Sequence, residues 1–182
     1  NMKVYTDETR LYYLPCRNSY ANYQGDEMMA LDAFDFAYKL PPVPAGTYEI
    51  RMGYTANDRR HVIQFYFDNE VAGIPIDLRI GTKTPKIGFV ADKDTEDNGI
   101  QNDKEMKNRG YLKGPSTYKW GSTTAREDVT SLRKVLVTKL LTSDRDHWLR
   151  LKNVTPQDNG FRQIMHDYIE IVPLGYVRNE EI

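Results

Sequence analysis

The residues best equipped for chemistry in this chain lie in its least regular stretches. Asp92, Asp94 and Glu96 place oxygen donors on alternate residues, the kind of spacing a hard cation such as calcium uses. An EF-hand is nonetheless missed. Asp97 stands where that loop needs glycine, and Asp103, too short for bidentate closure, stands where it needs glutamate. A solvated acidic loop produces the same pattern. Calcium is thus the one metal the chain offers a place for, and no cofactor is otherwise expected.

Catalytic signatures are missing from the sequence. There is no Gly-x-Ser-x-Gly elbow, no His-Glu-x-x-His, no phosphate-binding loop and no dinucleotide fingerprint. His61, His147 and His166 lack the short spacing of a helical metal pair, and each reads as a turn or strand residue. A glycosidase needs two carboxylates about 5 to 9 Å apart in space, a separation that spacing along the chain does not encode. With 26 acidic residues, chance pairs are expected. The expectation is a protein that binds rather than catalyses.

Glycan binding requires aromatic platforms for sugar C–H faces and side chains that make several hydrogen bonds to hydroxyls. Loops are where such residues stand. The candidates are Tyr20 and Tyr23 in an early polar loop, Asn57, Arg59 and Arg60 in the turn after Tyr54, and Tyr111, Tyr118 and Trp120 in an irregular excursion between Gly81 and Gly121. Each aromatic serves equally well as packing beneath a loop. The Arg59-Arg60 pair suits a carboxylate or phosphate as well as a sugar. Trp148, out of phase with Leu149 and Leu151, faces outward or covers a sheet edge.

The elements that must hold these residues read as strands. Phe34, Phe36, Tyr38 and Leu40 share one face, a proline-glycine segment follows, and Tyr48, Ile50, Met52 and Tyr54 repeat the alternation. This reads as a hairpin in a half-buried antiparallel sheet, matched at the far end of the chain by a strand at 168–172. Shorter strands are expected at 2–6, 11–14, 62–67, 71–78, 133–141 and 148–154, with Pro75 marking an edge or bulge. Asn102, with Glu105 three residues later and Gly110 beyond, frames a short capped helix. The tail after Pro173 reads as frayed.

The 182 residues suit one domain. Acidic and basic residues nearly cancel, 26 against 25, so no whole-chain field holds a nucleic acid. The single cysteine, Cys16, allows no internal disulfide. No stretch reaches the roughly 20 apolar residues a membrane helix needs, so no membrane insertion is expected.

Four segments carry a resemblance to a known fold: residues 38–51, Gln64 to Asp68, His147 to Lys152 and Asp167 to Pro173. Their order resembles a galactose-binding-like jelly roll, an all-β antiparallel sandwich shared by carbohydrate-binding modules of the family-6 and family-35 kind. With Gly73 to Arg79 and Arg109-Gly110-Tyr111-Leu112-Lys113-Gly114-Pro115 included, the chain from about Leu11 to Val177 is similar to the C-terminal domain of fasciclin-domain bacterial surface lipoproteins. That resemblance implies a module exposed on the cell envelope, with a glycan or another surface protein as partner. The structural calcium common in family-6-like modules is not carried over, because the early acids here, Asp7 and Glu8, are out of pattern.

Overall fold

A computed structural model describes residues 1–14, 26–114, 131–155 and 163–179. Alternation of large apolar side chains sets its layering. Phe36, Ile63, Phe65, Leu149 and Leu151 project inward from one sheet, and Ile50, Met52, Tyr54, Leu132 and Ile164 project inward from the other. Each such side chain contributes roughly 1.5 to 3 kcal/mol by leaving water. Together they make the common core of an antiparallel β-sandwich.

Among the described residues twelve strands build the two sheets: β1 (Met2–Val4), β2 (Arg10–Leu14), β3 (Glu27–Leu31), β4 (Asp35–Lys39), β5 (Gly46–Thr55), β6 (Val62–Phe67), β7 (Glu70–Val71), β8 (Ile76–Asp77), β9 (Tyr111–Lys113), β10 (Ser131–Leu141), β11 (Trp148–Asn153) and β12 (Gln163–Pro173). The first sheet runs β1-β4-β11-β6-β7, with β8 also on β6; the second runs β2-β3-β12-β5-β10-β9. From β3 to β6, and again from β10 to β12, the chain changes sheet at every connection, which is the winding of a jelly roll.

Several expectations are corrected. β4 and β5 do not form a hairpin: β4 pairs with β1 and β11, whereas β5 pairs with β10 and β12. Pro41, Pro42 and Pro44 carry the chain from one sheet to the other, a role suited to residues with no ladder donor. β5 and β12, the strands matched from the two ends of the chain, lie side by side in the interior of the second sheet. β3 and β9 are strands that the sequence pattern did not mark. The arm at 71–78 breaks into β7 and β8, both on β6, with Pro75 between them. The tail is not frayed throughout, since Leu174–Asn179 form a short helix, α2, on which Val177 is buried.

The expected helix exists as α1 (Ile100–Asn108), but its start differs from the expected cap. Gly99 precedes it in the left-handed region at φ 86°, and Asp97 Oδ2 accepts the amide of Gln101 at 2.7 Å. Asn102 turns inward instead. Its amide nitrogen donates to the Gly88 carbonyl at 2.9 Å, and its Oδ1 accepts the Val90 amide at 3.1 Å. Gly110, also at positive φ, ends the helix by donating to the Lys107 carbonyl.

Candidate functional site

Tyr20, Tyr23, Tyr118 and Trp120 lie outside the described residues. Of the remaining binding candidates, Asn57 and Arg59 are exposed in the turn beyond β5, where Asn57 Oδ1 accepts the Arg59 amide at 2.8 Å. Arg60 corrects the expectation of an exposed cluster, for it has no exposure at all. Its Nε donates to the Thr55 carbonyl at 2.7 Å and Nη2 donates to Thr55 Oγ1, so the guanidinium braces the end of β5. Tyr111 is likewise not a loop residue. It is buried in β9, with the Lys134 ammonium 3.9 Å from its ring centroid.

The acidic run does not converge. Among the described residues no group of three His, Cys, Asp or Glu side chains is placed to hold a metal ion. Asp94 and Glu96 are exposed, whereas Asp92 Oδ1 takes the buried ammonium of Lys113 at 2.8 Å, with Asp103 Oδ1 3.4 Å from the same nitrogen. Alternate spacing in the sequence therefore does not become a shared ligand set, because an internal cation already neutralises two of the carboxylates. Glu96, Asp97 and Glu105 border an open depression of about 400 Å³ beside α1.

All three histidines are buried. His147 Nδ1 lies 2.7 Å from Asp68 Oδ2, the kind of contact that orients a catalytic base. Its Nε2, however, accepts the backbone amide of Thr142 at 2.9 Å, and the other Asp68 oxygen accepts the Trp148 amide at 2.8 Å. The pair thus fastens the β10–β11 connection to the turn after β6. His166 on β12 reaches across the core to Tyr38.

A second buried charge occurs on β3. Burial pushes the Glu27 carboxyl up to about 7, with the positive charge of Arg60 opposing the shift and Asp167 adding to it. Glu27 Oε1 has no hydrogen-bond partner among the described residues. Asp167 is itself raised, by burial first and then by Asp26.

The sequence reading missed a different surface: the outward face of the first sheet. One register row runs Lys3, Ala37, Arg150, Tyr66 and Val71 across five strands, and the next places Asp35 beside Lys152 and Gln64. Asp35 holds Arg150 through two bonds of 2.6 Å, and the guanidinium carbon lies 4.2 Å from the Tyr5 centroid and 4.9 Å from that of Tyr66. Lys3 Nζ sits 3.8 Å from the Trp148 centroid, which places that tryptophan outward as its phase requires. The off-phase positions of β6 and β11 carried a signal for this face. The adjacency of four strands distant in sequence did not.

No protein-family model matches the chain, and no curated protein matches its sequence. Among solved structures it is similar to a xanthan lyase from Paenibacillus, at 12% sequence identity and a TM-score of 0.52. The alignment covers 94% of this chain and 12% of the lyase, so the chain spans only a small part of that protein's length. The likeness is one of fold. It agrees with the antiparallel β-sandwich described above.

Proposed function

We propose that the chain is a noncatalytic carbohydrate-binding or adhesion module displayed on a bacterial cell surface, as the resemblance to fasciclin-type surface lipoproteins implies. The observation that carries this reading is the likeness of nearly the whole chain to one small part of a polysaccharide lyase. The matched part is of domain size, and a domain with its own core can carry a task of its own in a longer protein. Exposed Asn57 and Arg59 supply hydrogen-bonding groups at one end of the second sheet, and Tyr5, Tyr66 and Trp148 supply rings on the first.

The test is a glycan array that includes xanthan, probed with the folded chain in calcium and again in chelator. Reproducible binding supports the reading. Loss of binding in chelator makes recognition metal-dependent. A folded chain that binds no glycan overturns it.

A second reading, a protein-interaction domain without sugar binding, has its own observation. β1 and β2 are edge strands, and Met2, Val4, Tyr5, Tyr12 and Tyr13 are exposed on or next to them. Concentration-dependent association in sedimentation, without any glycan hit, favours that reading.

A further inference from the structure

We infer that the outward face of the first sheet is the binding surface, and that its ligand is an anionic polysaccharide chain; this rests on the glycan-binding reading and assigns it a place and a chemistry. Charge is the first argument. Lys3, Lys39, Arg150 and Lys152 alternate outward from β1, β4 and β11, against the carboxylates of Asp35 on β4 and Asp146 beside β11. Four cations over two anions leave this face positive, although the whole chain carries a formal charge of −1. Lys152 makes no ion pair among the described residues, and Lys3 contacts only the Trp148 ring, so both ammonium groups are available to a ligand.

Shape and ring chemistry narrow the ligand further. The row from Lys3 to Val71 crosses five strands, four spacings of about 4.8 Å, and so extends roughly 19 Å over the sheet surface. That form suits an extended chain lying across the strands. Tyr5, Tyr66 and Trp148 offer apolar ring surface that a sugar can meet with its C–H faces, while the cations meet its carboxylates or sulfates. Arg150 is held in place by Asp35 and by two rings, so little side-chain freedom remains to be lost on binding. A general polyanion site would need the charge but not the rings.

The test uses polygalacturonate as the acidic polymer, dextran as the neutral one and duplex DNA as a polyanion without sugar C–H faces open to the rings. Binding is measured for the unaltered chain, for Tyr5→Ser, for the double variant Lys3→Glu/Lys152→Glu, and for Lys83→Glu/Lys104→Glu, whose charge change is the same but lies on exposed residues away from this face. Thermal melts confirm that each variant is folded. Polygalacturonate should bind, weaken at about 0.5 M salt, and lose about tenfold or more in the face double variant but under about twofold in the control. Tyr5→Ser should also weaken it. Equal losses in both double variants, no loss in either, or DNA binding as tight as polygalacturonate overturns the inference. Glycan hits that are all neutral and indifferent to the face variants overturn the site while leaving the carbohydrate-binding reading intact. A chain that binds no glycan overturns both.

Discussion

The hydroxyl of Tyr38 on β4 lies 2.9 Å from Nε2 of His166 on β12, joining the two sheets by a hydrogen bond inside the core. The rings also meet edge to face, with centroids 5.5 Å apart. Desolvation drives the His166 pKa down to about 4 and that of Tyr38 up, so both groups are neutral near pH 7.

The first prediction follows from that shift. An unfolded histidine titrates near 6.5, so on acidification the unfolded chain takes up a proton that folded His166 refuses. This contribution to stability is complete above about pH 6.5 and is lost progressively as pH falls towards 4, by up to about 3 kcal/mol. Because the raised Glu27 carboxyl gains in the opposite sense above about pH 4.5, denaturant melts of Glu27→Gln should show the decline across the whole window, melts of the parent only below about pH 4.5, and adding His166→Gln should flatten both. Tyr38→Phe leaves a buried ring nitrogen without its partner and should cost about 1 to 3 kcal/mol at pH 7.

Glu27 acts in the opposite direction. Its folded pKa is raised from 4.5 to about 7, so its share of stability is full below about pH 4.5 and is lost as pH rises through 7. Taken with His166, this places the stability maximum between about pH 4.5 and 6.5. In Glu27→Gln the alkaline-side decline should shrink while the acid-side decline persists. Equal slopes in the variant and the parent on the alkaline side refute the assignment.

Gly53 supports a third prediction. A Cβ there would come within 2.5 Å of Tyr168 Cζ and 2.6 Å of Cε1, because the tyrosine ring lies across β5 at that point. Alanine elsewhere in a strand gains about 0.5 to 1 kcal/mol over glycine. Here it must displace the ring, and Gly53→Ala should be destabilising by about 1 to 2 kcal/mol. In a Tyr168→Ala background the obstacle is gone, and the same substitution should become neutral or stabilising, a change of sign that a double-mutant cycle reads directly.

These residues differ in how openly the sequence declared them. Alternation at Tyr48, Ile50, Met52 and Tyr54 revealed which face of β5 meets the core, but the strand is not half-buried, because Glu49, Arg51 and Thr55 on its other face are buried too. It did not reveal the partner strand, since β4 and β5 show the same period when they face each other across a core as when they pair. Glu27, Met28, Met29, Ala30 and Leu31 are all helix formers, and only pairing with β2 and β12 makes them a strand. Arg60 looked like a turn charge, because the Thr55 acceptors that bury it are set by how the chain turns back. The outward face of the first sheet was written in off-phase residues, yet its charge excess emerges only once β1, β4, β11 and β6 lie side by side.

The last prediction concerns the acidic run and metal. Lys113 Nζ lies between Asp92 and Asp103, its side chain only 2% exposed, and 5.3 Å from the Phe89 centroid. Gly99 completes the arrangement, because a Cβ there would collide with Asp92 Oδ1 and the residue already has φ 86°. A cation in this position competes with any divalent ion for the same oxygens. Millimolar calcium should therefore shift the melting temperature by less than about 1 °C, since a ligand with no preference for the folded state gives no stabilisation. Lys113→Gln removes the buried charge that both carboxylates face and should cost about 2 kcal/mol, less than for a wholly buried pair because both acids are partly exposed. Hydrogen exchange should locate that loss at α1 and the segment before it, with β5 amides still protected. A calcium-induced rise in the parent chain's melting temperature, abolished by Asp92→Asn, would show that the ammonium does not hold the site.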